Sequence, residues 1–151
     1  MDNFRLYTFV NHVYMSPLQW GIQTAHVVST MMSDERFKDR EDVKQWAKES
    51  PTIIVCRGGN FAALTNLSEY FAAKSTLLDL PYASFHEDEE SLGGILTCAG
   101  ILVPRKFFAA QFEDYMYDNT IASFYQHETE LWNSSSQEYH LIDTIQSAKL
   151  A

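Results

Sequence analysis

Cations are scarce in this chain. Eleven Lys and Arg stand against twenty Asp and Glu over 151 residues, for a formal net charge of −9. A protein that grips a long phosphate backbone gains affinity by neutralising many phosphates with Lys and Arg. No segment here has the cations to do so, which excludes extended RNA or DNA as a ligand. A small phosphate-bearing ligand needs only one or two local cations and some backbone N–H groups, so that class stays open. Cysteine is nearly absent as well. Cys56 and Cys98 form no C-x-x-C pair and each falls in a strand-like stretch. They read as buried, reduced thiols of a cytoplasmic protein and not as a disulfide framework. No apolar run approaches the ~18 residues of a membrane span. The opening Met1-Asp2-Asn3-Phe4-Arg5 lacks the basic-then-apolar order of a secretory leader. Zinc-type spacings and Ser-His-Asp or Cys-His arrangements are missing too, so neither a metal nor another cofactor is expected. There is no internal repeat and no low-complexity tract.

What is present is a folding composition. Hydrophobic residues make up 46% and aromatics 14%, enough for the core of one domain. Residues 5–11 alternate loosely and end in polar residues, predicting a first strand. Ser16-Pro17-Leu18-Gln19 opens a helix to about residue 32: Ser16 caps it, Pro17 suits the first helical position, and Gln19 completes an S-x-x-Q box. A charged connector, 33–40, leads to a short helix over 41–49. Residues 52–56 are a β-branched run consistent with a buried strand. Arg57-Gly58-Gly59-Asn60 reads as a tight loop, with Asn60 capping a helix over 61–74. Further strands are predicted over 80–85 and 95–103. The order β-α-(α)-β-α-β-β implies an α/β sandwich of two or three layers, with a small mixed sheet flanked by helices. Residues 1–104 form this core. Residues 105–151 read as a helical, aromatic-rich extension of the same domain, with helices over 120–132 and 137–150 separated by Asn133-Ser134-Ser135-Ser136.

Four places carry candidate chemistry. Gln19, Gln23 and His26 fall at i, i+4 and i+7, which sets three hydrogen-bonding side chains in one row. The row Leu18, Ile22, Ala25 and Ser29 is the one expected to face the sheet. His26 suits a general base or a positioning donor, or simply a hydrogen-bonded interior histidine. The Arg57–Asn60 loop, between a strand and a helix, offers a guanidinium, two glycines and helix N–H groups to an anion, or else is only a turn with a cap. His86-Glu87-Asp88-Glu89-Glu90 reads more readily as a solvated acidic turn than as a metal site, with Glu87 the member to face inward. Arg105-Lys106 is the only adjacent basic pair, placed either to meet a phosphate or to flank a helix.

The assembled pieces resemble the peptidyl-tRNA hydrolases of the second type, the phage and archaeal/eukaryotic branch. Gln23-Thr24-Ala25-His26-Val27 matches the Q-x-x-H part of that family's helix signature. Residues 52–60 supply its strand, loop and helix start. Phe85-His86-Glu87-Asp88-Glu89 and Leu96-Thr97-Cys98-Ala99 look like diverged copies of later segments. The resemblance covers roughly residues 5–104. It implies the fold and, for an enzyme, an esterase in which His26, Glu87 and Thr97 position water. Gln19 stands where the family carries a lysine, and the D-A-G segment is missing.

Two functional readings follow, with a partner-binding accessory protein as a third. The preferred one is a non-enzymatic binder of a small nucleotide-like ligand. In size and acidity the chain is similar to phage proteins that sequester nucleotide immune signals, which implies an anti-defence role in the host cytoplasm and a homo-oligomer. Its ligand-binding residues would be Gln19, Trp20, Gln23, His26, Arg57, Asn60, Phe85 and Arg105. Arg57, Asn60 and Arg105 would hold phosphates, Gln23 and His26 would read polar edges, and Trp20 or Phe85 would stack on a base. The other reading is the esterase.

Overall fold

The structure, a computed structural model, describes residues 3–109 and 129–151. The elements are β1 (Phe4–Asn11), α1 (Pro17–Ser33), α2 (Glu41–Glu49), β2 (Ile53–Gly59), α3 (Phe61–Leu78), β3 (Tyr82–His86), α4 (Glu89–Leu92), β4 (Leu96–Pro104), α5 (Arg105–Ala109) and α6 (Thr129–Gln146). The strands form one mixed sheet in the order β2-β1-β4-β3. β1 runs parallel to β2, whereas β4 is antiparallel to both β1 and β3. The fold is therefore an α/β sandwich with a helical C-terminal piece.

Side-chain alternation along β1 builds two cores. Leu6 and Val10 point to one face and join Val27 and Met31 of α1, Phe37, and Val43 and Trp46 of α2. Tyr7 and Phe9 point to the other and join Leu64 and Phe71 of α3 with Leu141, Ile142 and Ile145 of α6. A central strand buried on both faces tolerates a continuous apolar run. The two layers of helices cover it from either side.

Three expectations are corrected. The first is the face of α1. Ser16 caps the helix, its Oγ accepting from the Gln19 amide at 3.2 Å, and Pro17 sits in the first turn. The face turned to the sheet, however, is Trp20, Gln23, Thr24, Val27 and Met31. Leu18 remains 73% exposed and Ile22 37%. The polar members of the buried face are tolerated because the strands answer them. The Thr24 and Thr8 hydroxyls are 3.0 Å apart, and Thr97 Oγ1 donates to Gln23 Oε1 at 2.7 Å. A Val27 stripe next to a glycine closes the packing. A Cβ on Gly100 would lie 2.7 Å from Val27 Cγ1.

The second correction concerns Arg57-Gly58-Gly59, which is not a loop. These residues continue β2, with Arg57 opposite Val10 and Gly59 opposite Asn11. Gly58 is needed for close approach: a Cβ there would lie 2.9 Å from both the Val10 carbonyl oxygen and Leu64 Cδ1. The third concerns the C-terminal segment. α6 runs without interruption through Asn133 to Ser136. Ser and Asn cost only a few tenths of a kcal/mol each in a helix, unlike Gly or Pro, and packing of Leu141, Ile142 and Ile145 outweighs that. The aromatic run Phe112 to Tyr117, and the start of the helix expected over 120–132, lie outside the described residues.

Candidate functional site

A cavity of about 410 Å³ opens where β1 and β2 end and their connections to α1 and α3 begin. Strand ends of this kind are where α/β proteins commonly hold ligands, because the chain turns away and leaves backbone groups and loop side chains around a crevice. Its lining includes His12, Tyr14, Met15, Trp20, Arg57 and Gly59.

The walls are held by polar contacts. Asn11 is 2% exposed. Its Nδ2 donates to the Leu96 carbonyl at 3.0 Å, and its Oδ1 accepts from the Val13 amide at 3.0 Å. The β1–α1 connection is thereby tied to the start of β4. The His12 amide donates to the Gly59 carbonyl at 2.9 Å, which couples the two connections across the cavity. Trp20 Nε1 donates to the Tyr14 carbonyl at 2.8 Å, fixing the indole as a wall. Among the described residues the buried Tyr14 hydroxyl has no hydrogen-bond partner. Burial pushes its ionisation upward, and the Glu87 carboxylate adds to that in the same direction. A buried hydroxyl left without a partner costs about 1–3 kcal/mol.

A second constellation lies on the same end of the sheet. The His26 and Phe85 rings stack nearly parallel, with centroids 4.1 Å apart and planes 9° from one another. Gln23 and Thr97 are both buried and bonded to each other, and Thr97 Oγ1 also lies 3.3 Å from the Phe85 carbonyl.

The sequence-derived candidates thus separate into groups. Trp20 and Arg57 come together in the cavity. Gln23, His26, Phe85 and Thr97 form the neighbouring packed cluster, and Glu87 reaches the cavity only through Tyr14. Gln19 is exposed, out of the buried face that contains Gln23. The Asn60 side chain accepts from the Ala63 amide at 2.8 Å as the cap of α3, so its carbonyl is committed. Arg105 lies at the opposite end of the sheet: its amide donates to the Asn3 carbonyl, and Pro104 stands across from Phe4. His12, Tyr14 and Met15 are the residues that sequence reasoning missed. The available signal was their position just after a buried strand, where ligand-facing groups concentrate.

Among the described residues no three His, Cys, Asp or Glu gather to hold a metal ion. None of their helices is long and apolar enough to cross a membrane. No family model matches the chain, and no curated protein matches it.

Proposed function

We propose that this protein binds and sequesters a small nucleotide-derived ligand without cleaving it, with the ligand in the cavity at the ends of β1 and β2. The observation that carries this reading is the composition of the cavity. One exposed guanidinium, Arg57, lines the same cavity as a fixed indole, Trp20. A base stacks on an aromatic face, and a phosphate takes a bidentate guanidinium. The volume sits at the lower end of the ~300–1,000 Å³ typical of small-molecule sites.

The esterase alternative finds less support. Thr97 is fully buried with its hydroxyl donated to Gln23, which leaves no route for it to orient water. His26 lies flat against Phe85. The resemblance to peptidyl-tRNA hydrolases enters this reading as a matter of architecture, since fold alone does not transmit activity. A cyclic nucleotide immune signal, held in a host cytoplasm by a phage-encoded homo-oligomer, is the specific form of the proposal.

Calorimetric titration with a panel of linear and cyclic nucleotides tests it. Binding is expected at micromolar concentration, and Arg57→Ala should weaken it about tenfold or more, the scale of one charged hydrogen-bonding partner. Absence of binding across the panel would contradict the proposal and favour a partner-binding accessory protein.

A further inference from the structure

Residues 149–151 lie antiparallel along the outer edge of β2. The Arg57 amide donates to the Lys149 carbonyl at 2.9 Å, the Ala151 amide donates to the Val55 carbonyl at 3.0 Å, and Cys56 and Leu150 form the bridge between them. This register sets Lys149 opposite Arg57. Opposite residues of an antiparallel pair project from the same face, with Cβ atoms about 4.5–5.5 Å apart. That face is identified by the neighbouring strand: Arg57 is in register with Val10, which belongs to the α1-side core and lines the cavity. Cys56, one residue earlier, is in register with Phe9 and belongs to the other core.

Like charges set opposite each other oppose strand pairing. An acidic neighbour is the usual remedy, and this chain has twenty acids for eleven cations. Arg36, Lys38, Arg40, Lys44 and Lys106 each hold an ion pair. Among the described residues neither Arg57 nor Lys149 does, and both are exposed. Two adjacent cations without an acidic partner are able to take an anion from outside.

We propose that Arg57 and Lys149 together form an anion subsite at the rim of the cavity, shaped for a single phosphate of the bound ligand. The guanidinium fork takes two phosphate oxygens, and the ammonium supplies a point charge to the same group. Arg57 is the one Lys or Arg among the described residues lining the cavity, and the register with Cys56 and Leu150 sets Lys149 beside it at the rim. A second phosphate would therefore find no further Lys or Arg there, and the subsite favours a nucleotide monoester or diester over a polyphosphate. The segment of residues 149–151, bridged to β2 through Leu150 and Cys56, is on this account a working part of the site. The proposal rests on the cavity being the ligand site, and its test separates the two claims.

Inorganic phosphate is titrated into the full chain and followed by NMR at the Cys56, Gly58 and Gly59 backbone amide signals, which every variant retains, with Lys149→Ala, Arg57→Ala and Lys48→Ala compared. Lys48 is an exposed cation on α2 and serves as the control. Adenosine and adenosine 5′-monophosphate are titrated in parallel. Saturable phosphate binding is expected, weakened about tenfold in Lys149→Ala and in Arg57→Ala and unchanged in Lys48→Ala. The monophosphate should bind more tightly than the nucleoside, and that difference should shrink in Lys149→Ala. No phosphate binding, or equal binding by Lys149→Ala and the native chain, overturns the subsite. If adenosine still binds in that case, the cavity reading survives without it. Phosphate binding with neither nucleoside nor nucleotide preference for the cavity would retain the subsite and discard the cavity reading.

Discussion

At the scale of single residues, burial decides which polar groups remain available. Gln23 and His26 stand in one row by sequence, yet the first is 2% exposed and satisfied by Thr97, and the second is stacked on Phe85. Gln23 therefore has a structural role. Thr97→Val would leave Gln23 Oε1 buried without its donor and should cost about 1–3 kcal/mol in urea denaturation, with nucleotide affinity unchanged. The two thiols give a second prediction. Burial pushes Cys56 up to about 11 and Cys98 to about 12, from an ordinary value of 9.0. Native protein at pH 8 should be alkylated far more slowly than urea-unfolded protein, because thiolate is the reactive form. Since the folded values lie above the unfolded one, the linked stability is complete below pH 9 and is lost as pH rises toward 11–12. Denaturation midpoints measured across that window should fall.

At the scale of elements, the types of β1, α1, α2, β2, α3, β3 and β4 were legible because period, caps and β-branched runs act locally. The Ser16-Pro17 start of α1 and the Asn60 start of α3 are examples of signals contained within a few residues. The orientation of α1 was not legible. Leu18, Ile22 and Ala25 form the more apolar stripe, but Thr8 and Thr97 lie 16 and 74 residues from their α1 partners and only folding brings them together. The extent of β2 was hidden in the same way, since glycines at 58 and 59 signal a turn until Val10 and Leu64 are seen pressing on Gly58. Half of the site was visible as Trp20 and Arg57. Lys149 was not, because nothing local announces that a residue 92 positions along the chain from Arg57 pairs with it. α6 belongs to the core it covers. Leu141 is fully buried among Phe71 and its neighbours, and Leu141→Ala should cost about 2–5 kcal/mol, read from the thermal or urea midpoint. A cost near zero would make α6 an appendage. Lys74 of α3 also ties to this helix, donating to the Gln137 carbonyl at 3.1 Å and to its side-chain amide oxygen.

At the scale of the whole molecule, charge and exposed apolar surface set the partners. A net charge of −9 predicts no retention of tRNA or duplex DNA at physiological salt in an electrophoretic shift assay, because phosphate neutralisation supplies most such affinity. The exposed stripe of Leu18 and Ile22 on α1, with Met15 86% exposed just before it, supports the homo-oligomer of the proposed function. Light scattering should report an assembly larger than one chain, and Leu18→Glu should reduce it to a monomer. A monomeric native protein would remove self-association from the account. The central claim is that the cavity holds a nucleotide and leaves it whole. The protein is incubated with a panel of cyclic and linear nucleotides, separated from free ligand and denatured, and the released molecule is identified by mass. The account predicts recovery of the intact nucleotide, lost in Arg57→Ala; recovery of a linearised or hydrolysed product would contradict it.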